Sequence, residues 1–296
     1  MNILPLEKRT QILTLLVEGM SMRAISRVSG CSINTVTKLL IDAGTACASY
    51  HALTVRNVQA KRVQADEIWA FCHSKQKNVA PEHEGVLGYG DVWTWIGMDS
   101  DSKLVISYLV GQRNMECAEV FTADLAFRLA DRIQLTTDGH GVYVAAIEKA
   151  FGGAVDYAML KKIYEGADAM EQRRYSPSRY VTAEKRLING SPKMEDVSTS
   201  HVERQNLTLR MQNRRFTRLT NAFSKKIENL EHSVALHFMH YNFARIHKTL
   251  RVTPAMEAGL SDHVWSIEEI AALIPEPVAK KRGPYKKRAE IEEISN

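Results

Sequence analysis

Between residues 61 and 163 the chain carries three β-rich runs in succession and then alternates helical and extended patterns, an order that few folds accommodate. "RVQADEIWAFC", "DVWTWIGMDS" and "KLVISYLVG" are dense in β-branched and aromatic residues. The last two are separated by Asp99-Ser100-Asp101-Ser102, a turn composition. In "NMECAEVFTADLAFRLA", Ala118, Phe121, Leu125 and Leu129 recur three and four apart, as on one face of a helix. "RIQLTTDG" reads as a strand running into a loop, "GVYVAAIEKAF" as a helix and "AVDYAMLKKI" as a further strand. Three strands followed by helix–strand alternation predict an α/β fold, a mixed sheet layered with helices.

Upstream, residues 6–43 read as three short helices. Ser21 is placed to cap the second and Gly30 to end it, and Ser32 starts a third that buries Val36, Leu39 and Leu40. Two short helices joined by a Gly-containing turn fit an all-α helix-turn-helix that binds DNA, with Asn34, Thr35, Thr37 and Lys38 facing the major groove. The competing reading is a plain three-helix packing unit. The pattern divides the chain into a helical domain at 1–45, a linker at 46–60, a catalytic domain at 61–256 and an extension at 257–296. Within the catalytic domain, residues 164–199 are polar and irregular and read as an insertion. The extension ends in a charged, apolar-poor tail expected to be disordered.

The net charge is only +5, but it is unevenly placed. His201 to Lys226 holds seven Lys/Arg against one acid, and Lys280 to Arg288 six against none, which suggests a polyanionic partner. No apolar run approaches the ~18 residues that span a bilayer, and the N-terminus lacks a signal-like core. Cys31, Cys47, Cys72 and Cys117 are widely spaced and contain no C-x-x-C pair, as expected of reduced thiols. The expected location is cytoplasmic, bound to DNA.

The lone acid of the first basic stretch is Glu203, followed by Arg204, Arg210, Arg214, Arg215 and Arg218. Ser200-x-x-Glu203 fits a helix capping box. Alternatively, Glu203 is a metal ligand held over a phosphate backbone that the arginines bind, with Arg210 two turns along the same helix face. Two other acids favour the second reading. Asp66 falls inside the first strand among Val63, Ile68, Trp69 and Phe71, where a charge is costly unless it meets a cation. Asp138 ends the fourth strand, where open α/β sheets place ligands. Oxygen ligands of this kind suit Mg²⁺ or Mn²⁺, and two such ions ~4 Å apart serve in-line phosphoryl displacement. Each acid also has a plain reading: Asp138-Gly139 is a turn pair, and Glu67 could share the role of Asp66. His140 and His201 are auxiliary candidates. Trp69, Trp93 and Trp95 read as core or interface residues, and "HYNFARIHKTL" as either a DNA contact or a packed helix with a polar edge.

"QADEIWAF" (64–71), "LTTDGHGVY" (135–143), "SHVERQNLTLR" (200–210) and "HYNFARIHKTLRVTPA" (240–255), in that order, resemble the DDE transposases. The likeness is greatest to the insertion-sequence-one (IS-one) type and covers roughly residues 60–256. The last motif is also similar to integrases of mobile elements. The resemblance implies a ribonuclease-H-like catalytic domain with Asp66, Asp138 and Glu203 as the metal-binding triad and Arg210 as the basic residue seven positions on. It implies binding to the ends of a mobile DNA element and to target DNA, two Mg²⁺ or Mn²⁺ ions, strand cleavage and transfer, and assembly as a homodimer or higher homo-oligomer. The zinc-binding cysteine cluster frequent in that type has no counterpart among the four cysteines. Two other functions fit the same residues: a DNA-binding regulator with a non-catalytic domain, and a nuclease that cuts without joining.

Overall fold

The computed structural model describes residues 4–164, 180–218 and 220–276. Its centre is a six-stranded sheet of β1 (Arg62–Cys72), β2 (Gly90–Asp99), β3 (Val105–Gly111), β4 (Ile133–Asp138), β5 (Val155–Tyr164) and β6 (Tyr180–Asn189), in the order β3-β2-β1-β4-β5-β6. β1, β2 and β3 form an antiparallel meander, β4 and β5 continue parallel to β1, and β6 returns antiparallel to β5. This is the mixed α/β sheet expected from the sequence. β1 is central because both its faces are covered. Val63 and Ala65 pack to one side, and Ile68, Ala70 and Cys72 to the other. A strand buried on both faces is close to a continuous apolar run, so the polar residues Gln64, Asp66 and Glu67 within it need a specific cause.

Helices α4 (Met115–Arg128) and α5 (Val142–Phe151) cover one face, where Phe121, Leu125, Ala146 and Ile147 close on Trp95, Leu135 and Val155. Helices α6 (Ser200–Gln212) and α7 (Ile227–Met239) cover the other, with Val202, Leu209, Leu230, Val234 and Phe238 against Ile68, Val92 and Ile96. Fully burying side chains of this size stabilises by ~1.5–3 kcal/mol each. A π-helical turn, His240–Ala244, follows α7 and carries Asn242 to the outer strand. The Asn242 Nδ2 donates to Val105 O and its Oδ1 accepts from Val105 N–H. The amide thereby supplies the pairing that an edge strand otherwise lacks. Asn242 is wholly buried; its place in the motif is structural, not a DNA contact.

Two expectations about organisation are corrected. The linker expected at 46–60 is helical through Thr54: α1 (Leu6–Val17) and α2 (Met22–Ser29) are followed by a 22-residue α3, Ile33–Thr54. Gly44 looks like a helix stop in the sequence, but it marks a crossing. A Cβ there would lie 2.4 Å from His232 Cβ on α7, so the small buried face of Ala43, Gly44 and Cys47 lets the two helices approach. The N-terminal helices are accordingly part of the main body, since Ile12, Leu13, Val36 and Leu40 share one core with Trp95 and Leu236. Past α8 (Pro254–Glu257), helix α9 (Ile267–Ala272) opens with a formed Ser266–Glu269 capping box and packs on α1.

The second correction concerns the 164–199 insertion. Residues 180–189 form β6, whose side chains from Val181 to Leu187 are mostly exposed. An outer strand with little buried area carries no apolar alternation, so its sequence reads as loop. Residues 165–179 of that segment and the basic run from Lys280 to Arg288 lie outside the described residues. Among the described residues, no helix is long and apolar enough to cross a membrane.

Candidate active site

β1 and β4 run parallel, with Ala65 opposite Thr137. Asp66 and Asp138 come next on their strands, and the register carries them to the same end. The carboxylates of Asp66, Glu67 and Asp138 each offer an oxygen within 4.8 Å of the other two. Crowding and burial act together on them. Asp66 is pushed up to about 8 by burial first, then by the charges of Asp138 and Glu67; a backbone N–H bond at Glu67 opposes the rise, and Glu203 adds to it. Glu67 is pushed up to about 7 by burial and by Asp138, against the lowering pull of Tyr143 and Arg113. Glu67 Oε1 and the Tyr143 hydroxyl are nevertheless both buried without a hydrogen bond of ordinary geometry. The acids therefore share too little positive charge, and the set is all oxygen, which suits a hard divalent cation.

Arg113 supplies part of that charge. Its Nη2 lies 3.2 Å from Glu67 Oε2 and 3.4 Å from Asp138 Oδ2, and its guanidinium stacks 4.8 Å above the Trp93 ring. Asn206 Nδ2 donates to Asp66 Oδ2 at 2.8 Å, and Asp138 Oδ1 accepts from the His140 N–H at 3.0 Å.

Glu203 stands beside this cluster without joining it. Its carboxylate accepts from Lys162 Nζ on β5 and from Thr199 Oγ1. The capping box that Ser200-x-x-Glu203 suggests is not formed: Thr199 is the N-cap residue and makes no side-chain cap bond. The free N–H groups at the start of α6 find a partner on the sheet instead. Gln64 Oε1 accepts from His201 N–H at 2.9 Å and Val202 N–H at 3.1 Å. Gln64 lies two residues before Asp66 on the same strand face, so β1 positions both the acid and the helix that carries Glu203. Asn206, one turn after Glu203, completes the tie to Asp66.

The sequence reading missed Gln64, Asn206, Arg113 and Lys162. Gln64 had a legible signal, a second polar residue on the buried face of a central strand; the others are brought in from separate elements. Arg210 lines a cavity with Trp69, Phe71 and Arg215. Arg204 lies on the opposite flank of α6, in a cavity with Lys103, His201, Arg245, His247 and Lys248 and, among the described residues, no acid. Arg214 sits in a 3-10 turn beyond α6, its Nε buried without a partner. His140 packs near Trp95 and Tyr143 with Nε2 unpartnered, and burial and Arg113 lower its pKa. His201 Nε2 lies 3.2 Å from Lys103 Nζ. Neither histidine belongs to the acid cluster.

On α3, Asn34 is exposed, Lys38 pairs with Asp42, and Thr37 Oγ1 donates to its own helix at Ile33 O. Thr35 Oγ1 meets Ser32 Oγ at the helix start, and Gly30 turns the chain from α2 with a φ of 69°.

No known family model matches the chain, and no curated protein matches it. Among solved structures it is similar to the Mos1 strand transfer complex, at 12% identity and a TM-score of 0.24, over 53% of this chain and 59% of that one. It is also similar to the Mos1 transposase paired-end complex with left transposon end, at 11% identity and 0.23, over 53% and 60%. A third is the piggyBac transposase synaptic complex with hairpin DNA, at 10% identity and 0.39, over 91% and 70%. Identities this low, with TM-scores this far from unity, assign neither family nor function.

Proposed function

We propose that the chain is a transposase that binds the ends of a mobile DNA element and performs metal-dependent strand cleavage and strand transfer. The observation that carries this reading is the convergence of Asp66, Glu67 and Asp138, under-neutralised and all oxygen, at one end of β1 and β4. Asp66 and Asp138 would hold two Mg²⁺ or Mn²⁺ ions, with Glu203 completing one ligand set and Glu67 adjacent. Bound there, the ions would supply activation of a water or 3′-hydroxyl and charge stabilisation at the leaving oxygen. Asn206 orients the Asp66 carboxylate, and Gln64 fixes the start of α6 so that Glu203 faces the pair. When no other cation is near, Lys162 pairs with Glu203, and Arg113 offsets part of the charge of Glu67 and Asp138. Arg204, Arg210 and Arg214 bind the DNA backbone, which positions the substrate without reading its bases. Asn34, Thr35, Thr37 and Lys38 are the proposed base-reading residues of a helix-turn-helix, and the protein works as a homodimer or higher homo-oligomer.

The test uses duplex oligonucleotides from the DNA flanking the coding region, a labelled target duplex and Mg²⁺. A transposase yields cleaved ends and a joined product. Cleavage without joining would mean a nuclease, and binding without cleavage a regulator; either result would replace the proposal.

A further inference from the structure

On the flank of α6 away from Arg210 lies a cavity of about 460 Å³, within the ~300–1,000 Å³ range of small-ligand sites. Its cations come from three sides. Lys103 stands in the turn between β2 and β3, Arg204 on α6, and Arg245 and Lys248 just beyond the π-helical turn. Among the described residues no Asp or Glu lines it. The third side is fixed by its own backbone: His247 N–H donates to Val252 O at 2.9 Å and Arg251 N–H to His247 O at 2.8 Å. Tyr241 ties the π-helical turn across to the first side, its hydroxyl donating to Lys103 O at 3.1 Å.

These cations lack counter-charges. Among the described residues, Lys103, Arg204, Arg245 and Lys248 form no ion pair. The acids that act on Lys103 are engaged elsewhere: Asp101 pairs with Arg62, and Asp99 accepts from Ser102. Burial holds Lys103 below its ordinary range, and burial followed by the charge of Lys103 does the same for His201 and His247. Two donors in the wall have no partner at all. Gln205 is 2% exposed with its Nε2 unbonded, and Arg245 Nη1 is buried in the same condition. Buried donors are nearly always satisfied, and desolvated cations without acids call for an anionic ligand.

The donors outnumber the two oxygens of a carboxylate, whereas each phosphate group offers several strong acceptors. The Tyr241 ring in the wall is itself buried, so no open Trp, Tyr or Phe face is present on which a base could stack. We propose that this cavity binds an anion carrying at least two phosphate groups, whose oxygens accept from Arg204, Gln205, Arg245 and Lys248. Small anions of the pyrophosphate type and consecutive backbone phosphates of a nucleic acid share this chemistry. The site is separate from the acid cluster, and the inference holds whether or not the protein cuts DNA.

The test is isothermal titration calorimetry of the full chain with sodium pyrophosphate in metal-free buffer, where no ion can bridge pyrophosphate to the acids. The wild type should bind it more tightly than malonate, a dicarboxylate. Arg245→Ala should weaken binding roughly ten- to a hundredfold, the effect of losing a hydrogen bond to a charged group, and Arg245→Lys should restore part of it. Lys248→Glu should weaken it as well, and because Lys248 is exposed that change leaves the framework intact. Arg210→Ala, on the other flank of α6, should leave pyrophosphate binding unchanged. A short duplex of unrelated sequence then identifies the source. If its affinity falls in Arg245→Ala and Lys248→Glu, backbone phosphates occupy the site; if it does not, the ligand is a free phosphate compound. No pyrophosphate binding, equal binding of malonate, or a loss confined to Arg210→Ala would overturn the proposal.

Discussion

Asp66 shows how the site puts a cost into the fold. A carboxyl whose folded pKa of about 8 exceeds its ordinary 3.8 holds its proton more tightly when folded. Unfolding then releases protons, so this group's contribution to stability falls as pH rises from about 4 to about 8 and stays low above that. Asp66→Asn should therefore be more stable than the wild type at about pH 8.5 in EDTA, with the difference vanishing near pH 4. Thermal unfolding at the two pH values decides it; a variant less stable than wild type at the higher pH contradicts the burial account. Gln64 predicts the opposite. Gln64→Ala leaves two N–H groups at the start of α6 without their acceptor, one of them on fully buried Val202. The expected loss is about 1–3 kcal/mol in urea unfolding, together with slower cleavage, because Glu203 rides on that helix. A neutral Gln64→Ala would mean that water satisfies those groups and that β1 does not set the position of α6. Asp66 stood out because a charge inside an apolar strand is out of place, whereas Asp138 and Glu203 also fitted a turn pair and a helix cap. Arg113, Lys162 and Asn206 were not legible, because a lysine near the end of β5 and an asparagine on a polar helix look ordinary until the fold brings them to the acids.

At the scale of elements, the sheet was legible and the connection into it was not. The strands from β1 to β5 and helices α4 and α5 follow from period-two and period-3.6 patterns strong enough to stand alone. α3 runs eleven residues past the expected end at residue 43, through Gly44, a poor helix former whose presence is explained by a neighbour nearly 190 residues away in sequence. Gly44→Ala should gain up to about 1 kcal/mol of helix propensity, yet we expect a net loss of about 1–3 kcal/mol as the new methyl forces α3 from α7. Denaturant unfolding checks the sign, and a stabilised variant would mean that the crossing is loose. α3 also carries His51, whose Nε2 meets Val105 O at 3.2 Å. Burial, then the charge of Arg128, lowers its pKa to about 4. The unfolded histidine takes its proton first, so its contribution is complete above about pH 6.5 and is lost as pH falls toward about 4. His51→Gln does not titrate, and it should gain on the wild type across that interval. A constant difference between the two would contradict a neutral buried imidazole.

For the whole molecule, the helices before the sheet share its core, so the residues proposed to read DNA and those proposed to cut it belong to one packed body. α3 and the π-helical turn after α7 are both tied to the outer strand β3, where His51 and Asn242 engage Val105. The pattern of acids announced this organisation only in part: it indicated which strands were to meet and that Glu67 could share the role of Asp66, but not that Lys162 holds Glu203. In the proposed function Asp66, Asp138 and Glu203 serve strand cleavage through a divalent metal. The most direct test of that role is nicking of a supercoiled plasmid carrying the flanking DNA, in Mg²⁺ and in EDTA, by the wild type, Asp138→Asn and Glu203→Gln, each verified as folded by circular dichroism. The expected result is nicking by the wild type in Mg²⁺ only and none by either variant. Near-normal nicking by folded Asp138→Asn or Glu203→Gln would contradict it.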